Sequence, residues 1–467
     1  MKLFSKTISP FSLIVFGLLV FRAFLNASIP LMDKTEARYA EIARIMAETS
    51  NWITPQIDYG VPFWAKPPLS TWLSAMSFEV FGVNEFAARF PYLLLSTLIV
   101  LLVGKYAKRK GLDFFIPGVI LLTIPEFLIH AGVVSTDTSL AFSVTLVMLS
   151  FWEGIKENGN PIWKYLFFVG VGLGLLAKGP IIIILTGPPI FIWLILSKKF
   201  KLLWKSFPWI FGILITALVA VPWYYIAEIK SPGFIDYFIV GEHFKRFISS
   251  GWQGDKYGFP KSQPLGMIWI FLLIFALPWI QVVIGKVWNK RTTIIQDNWV
   301  TYLLLWLLWT PLFFTISKSL IHPYIMPVMV PIALLITHWW NDIKHSKKIV
   351  RGSLLFPILA LIFYIGLTAS GKKEFYIKTD KYLIQNHSDK NLPIYHWQNK
   401  SYSGQFYSKG KIGAIKNNDE LKEKFSQKES FLVIIPLKKI KKIDSESMSF
   451  LKQIDVNNKK GVYLFKI

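Results

Sequence analysis

No cysteine occurs among the 467 residues. That excludes disulfides and thiolate metal sites, and it leaves the redox compartment open. Charge is also scarce: 17% of residues are Asp, Glu, Lys or Arg, where a soluble globular chain averages about 25%. The scarcity is uneven, because the long apolar stretches carry almost no ionisable residue in their interiors. Carriers commonly hold ions and protons on such groups near the bilayer midplane, so this absence weighs against a transporter. Acids are outnumbered by bases, 28 to 52, for a net charge of +24. No internal repeat, low-complexity tract or long flexible linker stands out.

Apolar residues are abundant: 53% of the chain, with 38 Phe and 19 Trp and a mean hydropathy of +0.43. They gather into runs of about 20, the length that crosses a hydrocarbon core. The composition predicts an all-α polytopic membrane bundle with about eleven spans. These lie near 10–31, 88–106, 112–130, 138–153, 162–177, 179–197, 207–227, 264–284, 299–316, 323–340 and 352–370. Lys2 and Lys6 ahead of an apolar stretch resemble a signal peptide, but the stretch lacks a convincing cleavage site and is too long, so it is read as the first span.

The positive charge could suggest nucleic acid, but the membrane explains it more simply. Lys and Arg cluster in KYAKRKG (105–111), KKFKLLWK (198–205), GKVWNKR (285–291) and KHSKKIVR (344–351). All four fall on one side if the spans alternate, as the positive-inside rule requires. No nucleic-acid partner is expected; the lipid bilayer is. With a cytoplasmic N-terminus, an odd span count places the C-terminal tail outside, with the loops at 33–72, 130–137, 178, 228–263 and 317–322. From Gly371 the chain turns Lys-rich and polar, and LPIYHW, FLVIIP and VYLFKI alternate with helical stretches such as NDELKEKF. The expected organisation is a membrane domain over 1–370, with interfacial helices in a first outer loop at 33–87, and a small soluble α/β domain over 371–467.

The most densely functionalised stretch is DKTEARYAEIARIMAETSNWITPQIDYGVPFWAKPPLSTW, from Asp33 to Trp72. Tyr39, Ile42, Ala43 and Met46 recur at helical spacing, and Glu36, Arg38, Glu41, Arg44 and Glu48 carry the polar side. Such a helix beside a span is expected to lie in the interface plane. A loop ending at Lys66-Pro67-Pro68 follows, then a further helix.

Asp33 and Glu36 read either as a capping box or as carboxylates at the membrane's outer edge, acting as base or sugar clamp. Asp137, in VVSTDTSLAF, has the same two readings. Lys66, stiffened by aromatics before it and prolines after it, either snorkels to headgroups or binds phosphate as a point charge. His243 and Arg246, one helical turn apart in GEHFKRF, belong to a solvated loop helix or to the same site. With Arg38, Lys178 and Lys318 they put cations on the outer side, against the positive-inside tendency, which favours an anionic ligand. Tyr324 sits at an interface where tyrosine is common.

The order RYAEIARIM, PFWAKPPLSTW, FGVNEFAARFP, STDTSLAF, GLGLLAKGP, VPWYY, PGFIDYF, EHFKRF and SKSLIHPYIMP resembles the ArnT-like branch of the GT-C glycosyltransferases. That branch comprises undecaprenyl-phosphate-aminoarabinose transferases and related dolichyl-phosphate-mannose protein mannosyltransferases. The resemblance covers the whole membrane region. It implies transfer of a sugar, with inversion, from a polyprenyl-phosphate donor to lipid A or another envelope acceptor, at the periplasmic face of a bacterial inner membrane. By motif, Arg38, Tyr39, Lys66, His243, Arg246 and Tyr324 would surround the donor phosphate and sugar, Lys178 matches the LxKGP lysine, and Asp137 the acid of the TD motif. Asp33, Glu36 and Asp137 are the candidate catalytic acids.

Two positions depart from the family. The adjacent Asp-Glu pair before x-Arg-Tyr is here Thr35-Glu36, with Asp33 two residues upstream. Ala65 stands where aminoarabinose transferases often carry the Glu of FEKP, which weakens the case for a divalent metal. The alternatives are a protein O-mannosyltransferase-like enzyme and, from another class, a flippase or transporter of lipid-linked sugars. A flippase needs polar residues along a crossing path, and few are present.

Overall fold

The computed structural model describes residues 9–157, 159–248, 252–258, 262–387 and 392–466. Lys2 and Lys6 lie outside them. Helix α1 (Pro10–Ser28) starts with Pro10 in its first turn and the Ser9 hydroxyl accepting from Phe11 N–H. There follow α2 (Thr35–Thr49), α3 (Leu69–Phe81), α4 (Glu85–Arg109), α5 (Ile116–Thr123), α6 (Pro125–His130), α7 (Thr136–Gly154), α8 (Ile162–Lys178) and α9 (Ile181–Leu196). Further apolar helices follow at Trp209–Lys230, Asn298–Phe314 and Leu355–Ala369.

All eleven expected spans coincide with helical segments, but several are broken. Pro125, which cannot donate to the preceding turn, separates α5 from α6. The span expected at 264–284 is two helices, Met267–Phe275 and Trp279–Asn289, bent by 105°. The one at 323–340 opens as a 3₁₀ turn over His322–Val328. Among the described residues four helices are long and apolar enough to cross a bilayer by length and composition, or five with the bent pair. Their exposed faces carry Phe16, Ile210, Phe211, Leu218, Ile362 and Phe363. Large apolar side chains left uncovered in such numbers belong against lipid. This is a membrane protein.

The C-terminal sheet has β3 (Ile394–Trp397), β4 (Gly413–Ile415), β5 (Phe431–Pro436), β6 (Lys452–Val456) and β7 (Lys460–Phe465), β1 and β2 being a short hairpin at Gln56–Asp58 and Val61–Pro62. The order is β4-β3-β5-β7-β6. Strand β3 runs parallel to β4 and β5, and β7 antiparallel to β5 and β6. The three strand-like runs read from the sequence are β3, β5 and β7, and NDELKEKF forms the helix Asn418–Ser426.

The α2 segment departs from expectation. Its polar side is not wet: the helix is buried on both sides, Glu36, Glu41 and Arg44 included. The helix Tyr402–Tyr407 packs over it from the C-terminal domain and α3 packs from below. The polar residues pair with each other or with neighbours, as in Arg44 Nε donating to Glu41 Oε2 at 2.7 Å. The C-terminal domain is docked by further long-range bonds. Asp33 N–H donates to the Lys378 carbonyl at 2.9 Å, Leu31 N–H to the Tyr407 hydroxyl at 2.7 Å, and Lys381 pairs with Glu85 at 2.6 Å. The first loop and the C-terminal domain therefore share one side of the membrane, whatever the span count. Reporters fused after Gly60 and after Gly371 are expected to be active in the same compartment, and activity in opposite compartments would refute this docking.

Candidate active site

Between the helix ends and the C-terminal domain lies a cavity of about 1100 Å³, lined by eight of the ten sequence candidates: Asp33, Arg38, Tyr39, Lys66, Asp137, Lys178, Arg246 and Tyr324. Lys178 is set there by the AKGP turn. It ends α8, and Gly179 at φ +82° reverses the chain, where any Cβ would stand 2.6 Å from the Phe238 ring. Pro180 then leads into α9.

Lys178 Nζ donates to Asp137 Oδ1 at 2.5 Å and lies 4.4 Å from the Tyr324 ring centroid. Asp137 is not the cap of α7. Ser135 is, accepting from Asp137 N–H at 3.1 Å and donating to Asp137 Oδ2 at 2.7 Å. The carboxylate is thereby left to hold the lysine over the cavity.

A second cluster faces it. The segment Asp236–Lys245 winds as a π-helix, a wide turn that often marks functional positions. It presents Glu242, which accepts from Lys66 Nζ at 2.8 Å and from Arg246 Nη1 at 2.9 Å. Lys66 is thus engaged with protein rather than headgroups, and its side chain is 18% exposed. Burial works to raise the Glu242 pKa, but Lys66 and Arg246 outweigh it and hold the carboxyl below its usual range. Arg38 Nη1 donates to the Tyr257 carbonyl at 2.6 Å, and its guanidinium sits 5.3 Å from the Tyr39 ring and 5.5 Å from Phe63.

Asp33 is not an N-cap either. Its carboxylate accepts from Ser403 N–H at 2.9 Å and Ser403 Oγ at 2.5 Å. Burial, then the nearby Asp380 carboxylate, raises its pKa above the usual range against the Ser403 hydrogen bonds.

Two candidates do not line the cavity. Glu36 spends both oxygens on Arg89, at 2.7 and 2.9 Å, and accepts from Met32 N–H. His243 turns behind the site, its ring nitrogens against the Phe238 and Lys178 carbonyls at 2.8 and 3.2 Å. It pins the end of α8, and burial lowers its pKa. On its helix Glu242, not His243, faces Arg246.

Sequence reasoning passed over three groups here. Glu242 carried a signal, since a carboxylate four residues before Arg246 reads as a helical ion pair. Ser403 and Asp380 carried none, because they reach Asp33 only through tertiary docking. Glu126, fully buried between His130 at 3.0 Å and His322 at 2.9 Å, anchors the turn that leads to Tyr324.

A divalent metal does not fit these residues. Ala65 lines the cavity without a side-chain ligand atom, and among the described residues no three His, Asp or Glu gather as a ligand set.

A family model described as dolichyl-phosphate-mannose-protein mannosyltransferase matches residues 14–238. An undecaprenyl phosphate-alpha-4-amino-4-deoxy-L-arabinose arabinosyl transferase of Pseudomonas fluorescens (strain Pf0-1) is 27% identical over 71% of this chain and 60% of its own length. The Wigglesworthia glossinidia brevipalpis protein of the same description is 30% identical over 78% of this chain and 65% of its own. The chain thus spans about two thirds or less of these relatives' length. The crystal structure of ArnT from Cupriavidus metallidurans bound to undecaprenyl phosphate superposes with a TM-score of 0.75, at 18% identity over 97% of both chains. In sequence the chain is similar to these transferases, and it shares the fold of the ArnT structure.

Proposed function

We propose that the chain moves a sugar from a polyprenyl phosphate, of the undecaprenyl kind, to lipid A or a related envelope glycolipid. The reaction inverts the anomeric carbon and takes place at the periplasmic face of a bacterial inner membrane. The observation that carries this reading is the meeting of Lys66, Arg246 and Lys178 with Asp33 and Asp137 around one cavity at the helix ends. The similar proteins of known description use an undecaprenyl-phosphate sugar, which supports the donor class.

The acceptor oxygen attacks the anomeric carbon from the face opposite the donor phosphate. The C–O bond to that phosphate breaks, and its electron pair leaves on the phosphate oxygen. Lys66 and Arg246, fixed by Glu242, and Lys178, fixed by Asp137, face the charge that grows there. Cations held in place before the reaction need no reorganisation during it. The test is transfer by the purified chain in nanodiscs, from labelled undecaprenyl-phosphate aminoarabinose to lipid A, with the product anomer read by NMR. Failure to transfer label from any polyprenyl-phosphate sugar would overturn the proposal.

The match to protein mannosyltransferases over 14–238 favours one second reading, a serine or sugar hydroxyl as acceptor. A phosphate monoester, with a second pKa of about 6, is already largely anionic and needs no base. A hydroxyl does, a contribution of roughly 100- to 10,000-fold. With a phosphate acceptor Asp33→Asn is expected to change turnover by less than about tenfold, below that base contribution. A collapse of turnover with binding intact would assign the hydroxyl reading and make Asp33 the base. In that case activity rises with pH through a limb above the ordinary carboxylate range, because the Asp33 pKa is raised, and the limb disappears in Asp33→Asn.

A further inference from the structure

We propose that the C-terminal domain builds a second anion site on the same cavity, where lysines at the carboxyl edge of its parallel strands hold a phosphoryl group of the acceptor. This rests on the transfer reading above, and it adds a role for a domain that reading leaves without one.

Strands β3, β4 and β5 are mutually aligned, so their carboxyl ends share one edge of the sheet. Strand β7 runs the other way, and the pairing of Pro436 with Lys460 brings its start to the same edge. From β3 the chain passes to β4 on one side, while from β5 it passes toward β7 and β6 on the other. In open α/β sheets, ligands settle in the crevice outside the carboxyl ends at such a reversal. Here that crevice opens on the cavity. Lys400 after β3, Lys416 after β4, Lys439 after β5, and Lys459 and Lys460 at the start of β7 all line it, with Lys378 beside Asp33.

The charge on this wall is not balanced as it is below. At the membrane edge three cations have carboxylates, Glu242 for Lys66 and Arg246 and Asp137 for Lys178, while Arg38 bonds the Tyr257 carbonyl and Lys256 lies over the Trp64 ring. On the upper wall Lys400 pairs with Asp58, and Lys460 with Asp380 at 2.6 Å. Lys378, Lys416, Lys439 and Lys459 make no ion pair among the described residues. Lys459 has its pKa lowered first by burial and then by repulsion from Lys378, Lys438 and Lys460. A phosphoryl group, with up to two charges and several acceptor oxygens, relieves that repulsion and meets several ammonium groups at once. The cavity, at about 1100 Å³, has room for a donor phosphate below and an acceptor headgroup above.

The experiment is calorimetric titration of the full chain in neutral-lipid nanodiscs, with glucose 1-phosphate, dihexanoyl phosphatidic acid and uncharged octyl glucoside as probes. At least one phosphate probe is expected to bind while the glucoside does not. Binding of the phosphatidic acid alone identifies a lipid headgroup as the source, and binding of glucose 1-phosphate identifies a soluble or sugar-borne phosphate. The combined variant Lys378→Gln/Lys416→Gln/Lys439→Gln/Lys459→Gln is expected to lose roughly tenfold or more of that affinity, the sum of several partly exposed charge contacts. Its binding of undecaprenyl phosphate should be unchanged. Lys66→Ala is expected to show the opposite pattern.

Wild-type probe affinity in the lysine variant would overturn the site. So would an equal loss in Lys422→Gln/Lys424→Gln, on a helix away from the cavity, because the effect would then be general surface charge. Probe binding as expected in a chain that transfers no sugar would overturn the proposed reaction and leave this site standing. Transfer with an unchanged acceptor KM in the lysine variant would overturn the site and leave the reaction standing.

Discussion

Lys66→Ala is expected to lower turnover roughly 100- to 1,000-fold, the usual cost of removing one preorganised donor from a developing oxyanion. The fold should survive. Glu242, which Lys66 meets at 2.8 Å, keeps Arg246 at 2.9 and 3.1 Å, so no buried carboxylate is stranded. Lys66→Arg retains the charge but replaces a compact ammonium by a planar fork, and part of the activity should return. Glu242→Gln separates fixing from charge. Both cations remain without the charge that fixes them, Arg246 keeping only Asp255 at 3.8 Å, so undecaprenyl phosphate binding should stay the same or tighten while turnover falls. The measurement is kcat and donor affinity for all three variants, with correct insertion checked by size-exclusion chromatography. Full turnover in Lys66→Ala would return this residue to a headgroup-facing role and leave Arg246 and Lys178 as the phosphate ligands.

The sequence was legible where the physics is local. Apolar runs reported helices, because a span must satisfy its backbone within itself. AKGP could be read as a stop and restart that leaves a lysine at the edge, and the C-terminal strands showed as short apolar runs between polar turns. What failed was long-range. Nothing in DKTEARYAEIARIM says that the polar side of α2 is covered, because its cover, Tyr402–Tyr407, comes more than 350 residues later. Of the capping reading only Glu36 folding back onto a backbone N–H, that of Met32, is seen, and the main partners of both acids lie far along the chain. Asp33 reaches Ser403, and Glu36 reaches Arg89. Of the two readings of Asp137 the cap is not the one seen, since Ser135, two residues earlier, does that work. Hydropathy also cannot report a bend of 105° between two apolar helices, since an apolar run reads the same straight or folded.

Arg89→Met is expected to be the most destabilising single change outside the cavity. Arg89 is 2% exposed. Its Nε and Nη2 donate to Glu36 at 2.7 and 2.9 Å, and its remaining hydrogens go to the carbonyls of Asn26 at 2.9 Å, Ile29, and Pro30 at 3.1 Å. One guanidinium thus joins the end of α1, the start of α2 and the body of α4, and it fixes the turn that carries Asp33. Removing it strands a buried carboxylate and three carbonyls, and breaking such a pair costs about 3–5 kcal/mol. Arg89→Lys should not rescue it, because an ammonium cannot grip Glu36 with two parallel bonds and reach three carbonyls as well. The pair and the carbonyl clamp can be told apart. In Glu36→Leu/Arg89→Met no charge is left unpaired, and swapping a buried ion pair for apolar side chains is often nearly neutral. The double variant should therefore regain part of the loss but not all of it, since the three carbonyls stay without their donor. The readout is the thermal unfolding midpoint in detergent, with undecaprenyl phosphate affinity as the measure of how far the Asp33 turn has moved. A single variant as stable as the wild type would show that docking by the C-terminal domain, through Ser403, Tyr407 and Lys381, holds the first loop without Arg89.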